Sequence, residues 1–160
     1  MQKGQKIIVG VLGLPIRKNG KTIEFFLSQR LAPYKPDIHL KWQLSGGGME
    51  FGETPQQTLI REFQEELSVI PKISYPYPIV ITNTWRKGVA GHNHNAHVVL
   101  IAFLVDIDNQ IPKNTDPDHE TGDMKWYSID EIKDLNCLPN THQIISYAQD
   151  ILDKSPNILL

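Results

Sequence analysis

One cysteine, Cys137, stands in 160 residues. A disulfide within the chain is excluded, and the usage fits a reducing compartment, the cytoplasm. Long apolar runs are missing too. None approaches the roughly 20 residues that span a bilayer, so no membrane partner is expected. The nearest candidate, Ile7 to Leu14, follows Lys3 and Lys6 but meets Pro15, Arg17 and Lys18 without a small-residue cleavage pattern. It is a buried strand rather than a leader. Charge of one sign is also scarce: 16 basic residues face 18 acidic ones, a formal charge of −2. That argues against a broad basic surface for a nucleic-acid polymer and leaves a single nucleotide open. With 40% hydrophobic and 21% charged residues, what is present is one ordinary globular domain, without repeats or low-complexity segments.

The pattern alternates strands and helices. Residues 5–14 read as a first strand and Ile23 to Gln29 as its return, with Asn19-Gly20 as the tight turn between them. Residues 31–37 are loop. Lys41 to Leu44 is a short strand that runs into Ser45 and a turn of three glycines, and a helix follows from Thr54 to Leu67. Three prolines, Pro71, Pro76 and Pro78, break the next segment. Strands are expected at Ile79–Trp85, at the apolar, β-rich Val98–Val105 and at Met124–Tyr127. Residues 108–122 are Asp-, Asn- and Pro-rich loop. Ile129–Asp134 is a helical turn or two, and Thr141–Leu152 carries a helical apolar stripe.

The helix at 54–67 holds the chemistry. Thr54 suits the N-cap, Pro55 the first turn and Gln57 a capping box. Ile60, Phe63 and Leu67, with Leu59 beside them, make an apolar face. Glu62, Glu65 and Glu66 share another face, where like charges repel by a few tenths of a kcal/mol per pair. One reading is a solvated acidic face. The other is a site for a hard divalent cation, which takes carboxylate oxygens and recruits phosphates. A Gly-rich segment before the helix, with Glu53 ahead of its cap and Arg61 inside it, favours the second.

The segment 46–69, GGGMEFGETPQQTLIREFQEELSV, resembles the Nudix hydrolase box, G-x5-E-x7-R-E-U-x-E-E-x-G-U with U bulky and apolar. Gly47, Glu53, Arg61, Glu62, Glu65, Glu66 and Val69 match it, so the box spans 47–69. Phe63 stands where an aliphatic residue is usual, Ser45 where a proline commonly precedes the glycines, and Ser68 where glycine ends the helix. Ser in that left-handed position should cost up to about 1 kcal/mol. No departure removes a charged residue. The likeness covers most of the chain and is greatest to the MutT-like, nucleoside triphosphate branch.

The resemblance implies a single Nudix-type α/β/α sandwich with a mixed β-sheet over residues 1–160. It implies Mg²⁺ (or Mn²⁺) as cofactor and a small nucleotide as substrate. The reaction would convert a nucleoside triphosphate, deoxy or modified forms included, to the monophosphate and pyrophosphate, in a monomer or homodimer. Alternatives are another nucleoside diphosphate-linked compound, such as ADP-ribose, a nucleotide sugar or dihydroneopterin triphosphate, or a nucleotide-sensing module that does not cleave. Such modules usually lose box carboxylates, which are all present here. By the same resemblance Glu65, Glu66 and the Gly46 carbonyl are metal ligands. Glu62 is a further ligand or the base that activates water, and Arg61 holds Glu53 and orients its loop.

MutT-like enzymes often draw one more acid from a loop before a Trp-bearing strand. Asp116, Asp118, Glu120 and Asp123 are candidates, and Glu120 matches the spacing to Trp126. The expectation is a mobile loop that brings Glu120 to the cation when substrate binds, with Asp116 and Asp118 nearly inert; the alternative is a solvated loop. Arg30 is a candidate for a substrate phosphate or a surface cation. Trp85 can stack a base or fill the core rim. Asn140 can hydrogen-bond a base or cap the last helix. The histidines of 91–97 are expected in a hairpin loop, with substrate recognition as the alternative, since nothing completes a transition-metal site.

Overall fold

Alternation along the strands decides the architecture. In the computed structural model, which describes residues 5–87 and 95–159, eight strands form one mixed sheet. The elements are β1 (Gln5–Asn19), β2 (Thr22–Arg30), β3 (Trp42–Gln43), β4 (Ser45–Gly48), α1 (Pro55–Leu67), β5 (Lys72–Ile73), β6 (Ile79–Trp85), β7 (Asn95–Asp106), β8 (Thr121–Ser128), α2 (Ile129–Ile132) and α3 (Thr141–Lys154). In β7, Phe103 and Val105 pack with Leu59, Phe63 and Leu67 of α1, while Ala102 and Leu104 pack with Ile144, Ile145 and Ala148 of α3. In β2, Phe26 joins the first cluster, and Phe25 and Leu27 join the second. A sheet buried on both faces needs a helix on each, and the result is the expected α/β/α sandwich. No helix among the described residues is long and apolar enough to cross a membrane.

Strand β1 joins the two halves of the sheet. It pairs parallel with β7 from Gln5↔Asn95 to Pro15↔Val105, and antiparallel with β4 from Gly10↔Gly48 to Gly13↔Ser45. From Ile16 onward it pairs antiparallel with β2. The strand therefore runs through Pro15 instead of ending at residue 14. A proline lacks the N–H that a ladder uses, and it is tolerated where the ladder changes partner. Gly13 meets α1: a Cβ there would lie 2.4 Å from the Phe63 ring, so glycine allows the box helix to seat on β1.

Other elements depart from the sequence pattern. Ser45–Gly48 is a strand, not a turn, because β1 supplies its ladder partners. The two-residue strand β5, hidden by its flanking prolines, pairs Lys72 with Asp106 and Ile73 with Val105. Strands β7 and β8 start earlier than expected, and α2 closes after one turn. Ile60 is exposed, so the buried stripe of α1 is Leu59, Phe63 and Leu67. Residues 88–94, which include His92 and His94, lie outside the described residues; His97 is already in β7.

Candidate active site

The site begins at the N-terminus of α1. The capping box forms as the sequence suggests: Gln57 N–H donates to Thr54 Oγ1 at 3.2 Å, and Thr54 N–H donates to Gln57 Oε1 at 2.8 Å. Capping fixes the loop before the helix, and with it Glu53. Arg61 reaches back and donates from Nε to Glu53 Oε1 at 2.7 Å and from Nη2 to Glu53 Oε2 at 3.0 Å. This two-point pairing is the geometry that a guanidinium fork favours. Buried Thr58 adds its hydroxyl to Glu53 Oε2 at 2.8 Å. Donors from Arg61, the Glu50 amide and Thr58 pull the Glu53 pKa down to about 2. Glu53 is thus an anion at neutral pH whose oxygens are engaged by protein donors, which makes it a structural anchor for Arg61. Thr58 was not singled out by sequence reasoning, since a buried threonine one turn inside a helix resembles ordinary packing.

The three acids of α1 do not behave alike. At about 100° per residue, Glu62 and Glu66 flank the buried Leu59–Phe63 stripe, and Glu65 lies farther round toward Arg61. The Glu62 side chain is only 12% exposed and accepts Arg61 Nη1 at 2.7 Å. A Cβ on Gly47 would come within 2.6 Å of this carboxylate, so the glycine leaves the space it fills. Burial pushes the Glu62 pKa up, opposed by Arg61. Glu66 accepts the Gly46 N–H at 3.3 Å. Burial first, then the charge of Glu62, pushes its pKa up to about 7. Glu65 is half exposed and leans on Arg61 Nη1 at 3.4 Å.

Two half-buried carboxylates that repel one another, beside glycines with no Cβ to crowd them, suit a hard divalent cation, which takes oxygen ligands and offsets charge. Glu62 and Glu66, with Glu65 at the rim, are the side chains that could hold one. Among the described residues no three acids already converge as a ligand group.

The loop after β7 is hydrogen-bonded to the end of α1. Lys113 N–H donates to Leu67 O and Thr115 N–H to Glu66 O, both at 2.9 Å, and Thr115 Oγ1 donates to Glu65 O at 2.9 Å. These are carbonyls of the last turn of α1, which have no acceptor role within the helix. Asp116 is buried at 6% exposure. Its Oδ1 accepts Asp118 N–H at 2.9 Å and its Oδ2 accepts Glu120 N–H at 2.8 Å. Burial raises its pKa, and donors from Asp118, Thr121 and Glu120 outweigh that, leaving it lowered. Glu120 in turn forms an ion pair with Arg30, and its carbonyl accepts Leu31 N–H at 2.6 Å. Both Asp116 and Arg30 act electrostatically on Glu66, the first raising and the second lowering its pKa. Arg30 and Glu120 therefore stand on the carboxylate side of α1, and Asp116 is buried between them and the helix end.

Trp85 ends β6 opposite Ala96, across β7 and β1 from β4. Asn140 precedes α3 in the left-handed region with φ 72° and makes no side-chain cap, so its capping role does not hold.

A family model described as the NUDIX domain matches residues 6–147. The chain belongs to the Nudix family. An 8-oxo-dGTP diphosphatase of Escherichia coli is 33% identical over 85 residues, 48% of this chain and 58% of that protein. An RNA pyrophosphohydrolase of Acinetobacter baylyi is 50% identical over 56 residues, 35% of this chain and 32% of that protein. The chain thus spans about half the length, or less, of these curated relatives. The solution structure of the E. coli ORF135 protein has a TM-score of 0.68 at 22% identity and covers 95% of both chains, so the two share one fold over nearly their whole length.

Proposed function

We propose that this Nudix chain hydrolyses a nucleoside triphosphate, deoxy or modified forms included, to the monophosphate and pyrophosphate, with Mg²⁺ or Mn²⁺ as cofactor. One observation carries the reading: Arg61 anchors on Glu53 and holds Glu62 beside Glu66 against the glycines of β4. Glu62, Glu65, Glu66 and the Gly46 carbonyl would hold the cation. When bound, it supplies charge neutralisation at the phosphates and lowers the pKa of attacking water. Glu62 accepts the proton of that water, or joins the ligands and leaves the task to Glu120. Arg30, paired with Glu120 on the facing side, meets the phosphate chain. Asn140 and Trp85 are kept as contacts to the base. The names of the diphosphatase and pyrophosphohydrolase relatives support a triphosphate end as the group cleaved.

The test is a panel of dGTP, 8-oxo-dGTP, ADP-ribose, diadenosine tetraphosphate and a 5′-triphosphorylated RNA oligonucleotide, each with Mg²⁺ or Mn²⁺. Pyrophosphate release from a free triphosphate, lost in Glu66→Gln, supports the proposal. Faster cleavage of any other member overturns the substrate. No cleavage of any member overturns the enzymatic reading.

A further inference from the structure

The segment 113–121 links two elements of the site that share no direct hydrogen bond. Its first end holds the helix: Thr115 binds the backbone carbonyls of Glu65 and Glu66, through its hydroxyl and its amide. Its other end holds β2: Glu120 pairs with Arg30 through its side chain and with Leu31 through its carbonyl. Between them stands Asp116. Its Oδ1 accepts the Asp118 N–H and its Oδ2 the Glu120 N–H, and Thr121 is a further donor to the carboxylate. Asn114 closes the base of the loop, donating from Nδ2 to Thr121 O at 2.8 Å and accepting Asp116 N–H at 3.3 Å.

We infer that Asp116 is a positioning residue, whose carboxylate sets where Glu120 and its Arg30 partner stand relative to Glu66, with Thr115 as the clasp on the box helix. The inference rests on the proposed function, because Glu120 and Glu66 are site residues only under that reading. The chemistry is specific. A buried carboxylate with two lone-pair-bearing oxygens gathers two backbone amides of the loop, one on each oxygen. Asn offers one oxygen, and its NH₂ would face an N–H donor. Asp116 is 6% exposed and both of its oxygens face the loop's own amides, so it acts through Glu120 and not on substrate.

The experiment is a double-mutant cycle on kcat for the best nucleotide of the panel, with Asp116→Asn, Glu120→Gln and the double variant. Asp116→Asn should lower kcat by roughly 10-fold or more, and the double variant should be no slower than the slower single one, as expected for residues acting as a unit. A multiplicative double variant, or an Asp116→Asn variant at wild-type kcat, overturns the inference while the hydrolase reading stands. The Arg30 Nε–H resonance gives a second readout that needs no turnover. Asp116→Asn should move it toward its position in Glu120→Gln. If the wild type cleaves no nucleotide, the functional reading falls, and an unmoved Arg30 signal overturns the positioning role as well. Should Asp116→Asn fail to fold, Thr115→Val replaces it in both measurements, with Thr115→Ser expected to restore wild-type values and equal behaviour of Val and Ser counting against the clasp.

Discussion

At the scale of single residues, the site is built from carboxylates held in opposite states. Glu53, surrounded by donors, has its pKa lowered to about 2. Its contribution to stability is therefore fully present above the ordinary carboxylate pKa and is lost as pH falls from about 4.5 toward 2. Acid unfolding of Glu53→Gln should be shallower over that window than wild type, which a pH titration of ellipticity measures. Ser68 ends α1 at φ 55°, the left-handed conformation expected from its place in the box, with Val69 N–H donating to Phe63 O. Ser68→Gly should raise Tm, by up to about 1 kcal/mol of stability, and leave turnover alone; a lower Tm would contradict the cap. Ser45 is fully buried, and its hydroxyl has no hydrogen-bond partner. An unmade buried hydrogen bond costs about 1–3 kcal/mol, so Ser45→Ala should stabilise the protein in denaturant melts.

At the scale of elements, α1 was largely legible and the loop that clasps it was not. The capping box, the Leu59–Phe63–Leu67 stripe and the acid spacing are side-chain patterns, and a sequence states side chains directly. Ile60 was misjudged because a stripe drifts around a helix that meets the sheet along one line. The loop's anchors are backbone carbonyls of residues 65–67, and no side-chain pattern records which carbonyls need a donor. Asp, Asn and Pro look the same in a solvated loop and in one that gathers buried amides, which hid Asp116. Seating of α1 on β1 also turns on an atom that is missing. Gly13→Ala should collide with Phe63 and cost about 1–3 kcal/mol, as overpacking does. Combining it with Phe63→Leu should recover part of the loss, a coupling that urea melts of the two singles and the double would show.

At the scale of the whole molecule, the proposed cation and the fold are linked. Whatever binds the folded state alone stabilises it by mass action, and relief of the Glu62–Glu66 repulsion is available only in that state. Mg²⁺ should raise Tm, and the rise should vanish in Glu66→Gln; an equal rise in both would place the ion elsewhere. The sandwich itself followed from two apolar faces on each central strand, whereas the passage of β1 through Pro15 required knowing that its partners change there. That strand has a kinetic consequence. Its parallel register joins residue 5 to residue 95 and keeps that offset, 95 − 5 = 90, along the whole ladder. Closing a loop of that size costs about 4 kcal/mol of chain entropy before any contact rewards it. During synthesis, β1 and β2 are both available early as a hairpin, yet the centre of the sheet waits until β7 has left the ribosome. The Asn19-Gly20 hairpin should therefore form in the first phase of refolding, and the β1–β7 ladder with the seating of α1 should set the slow one.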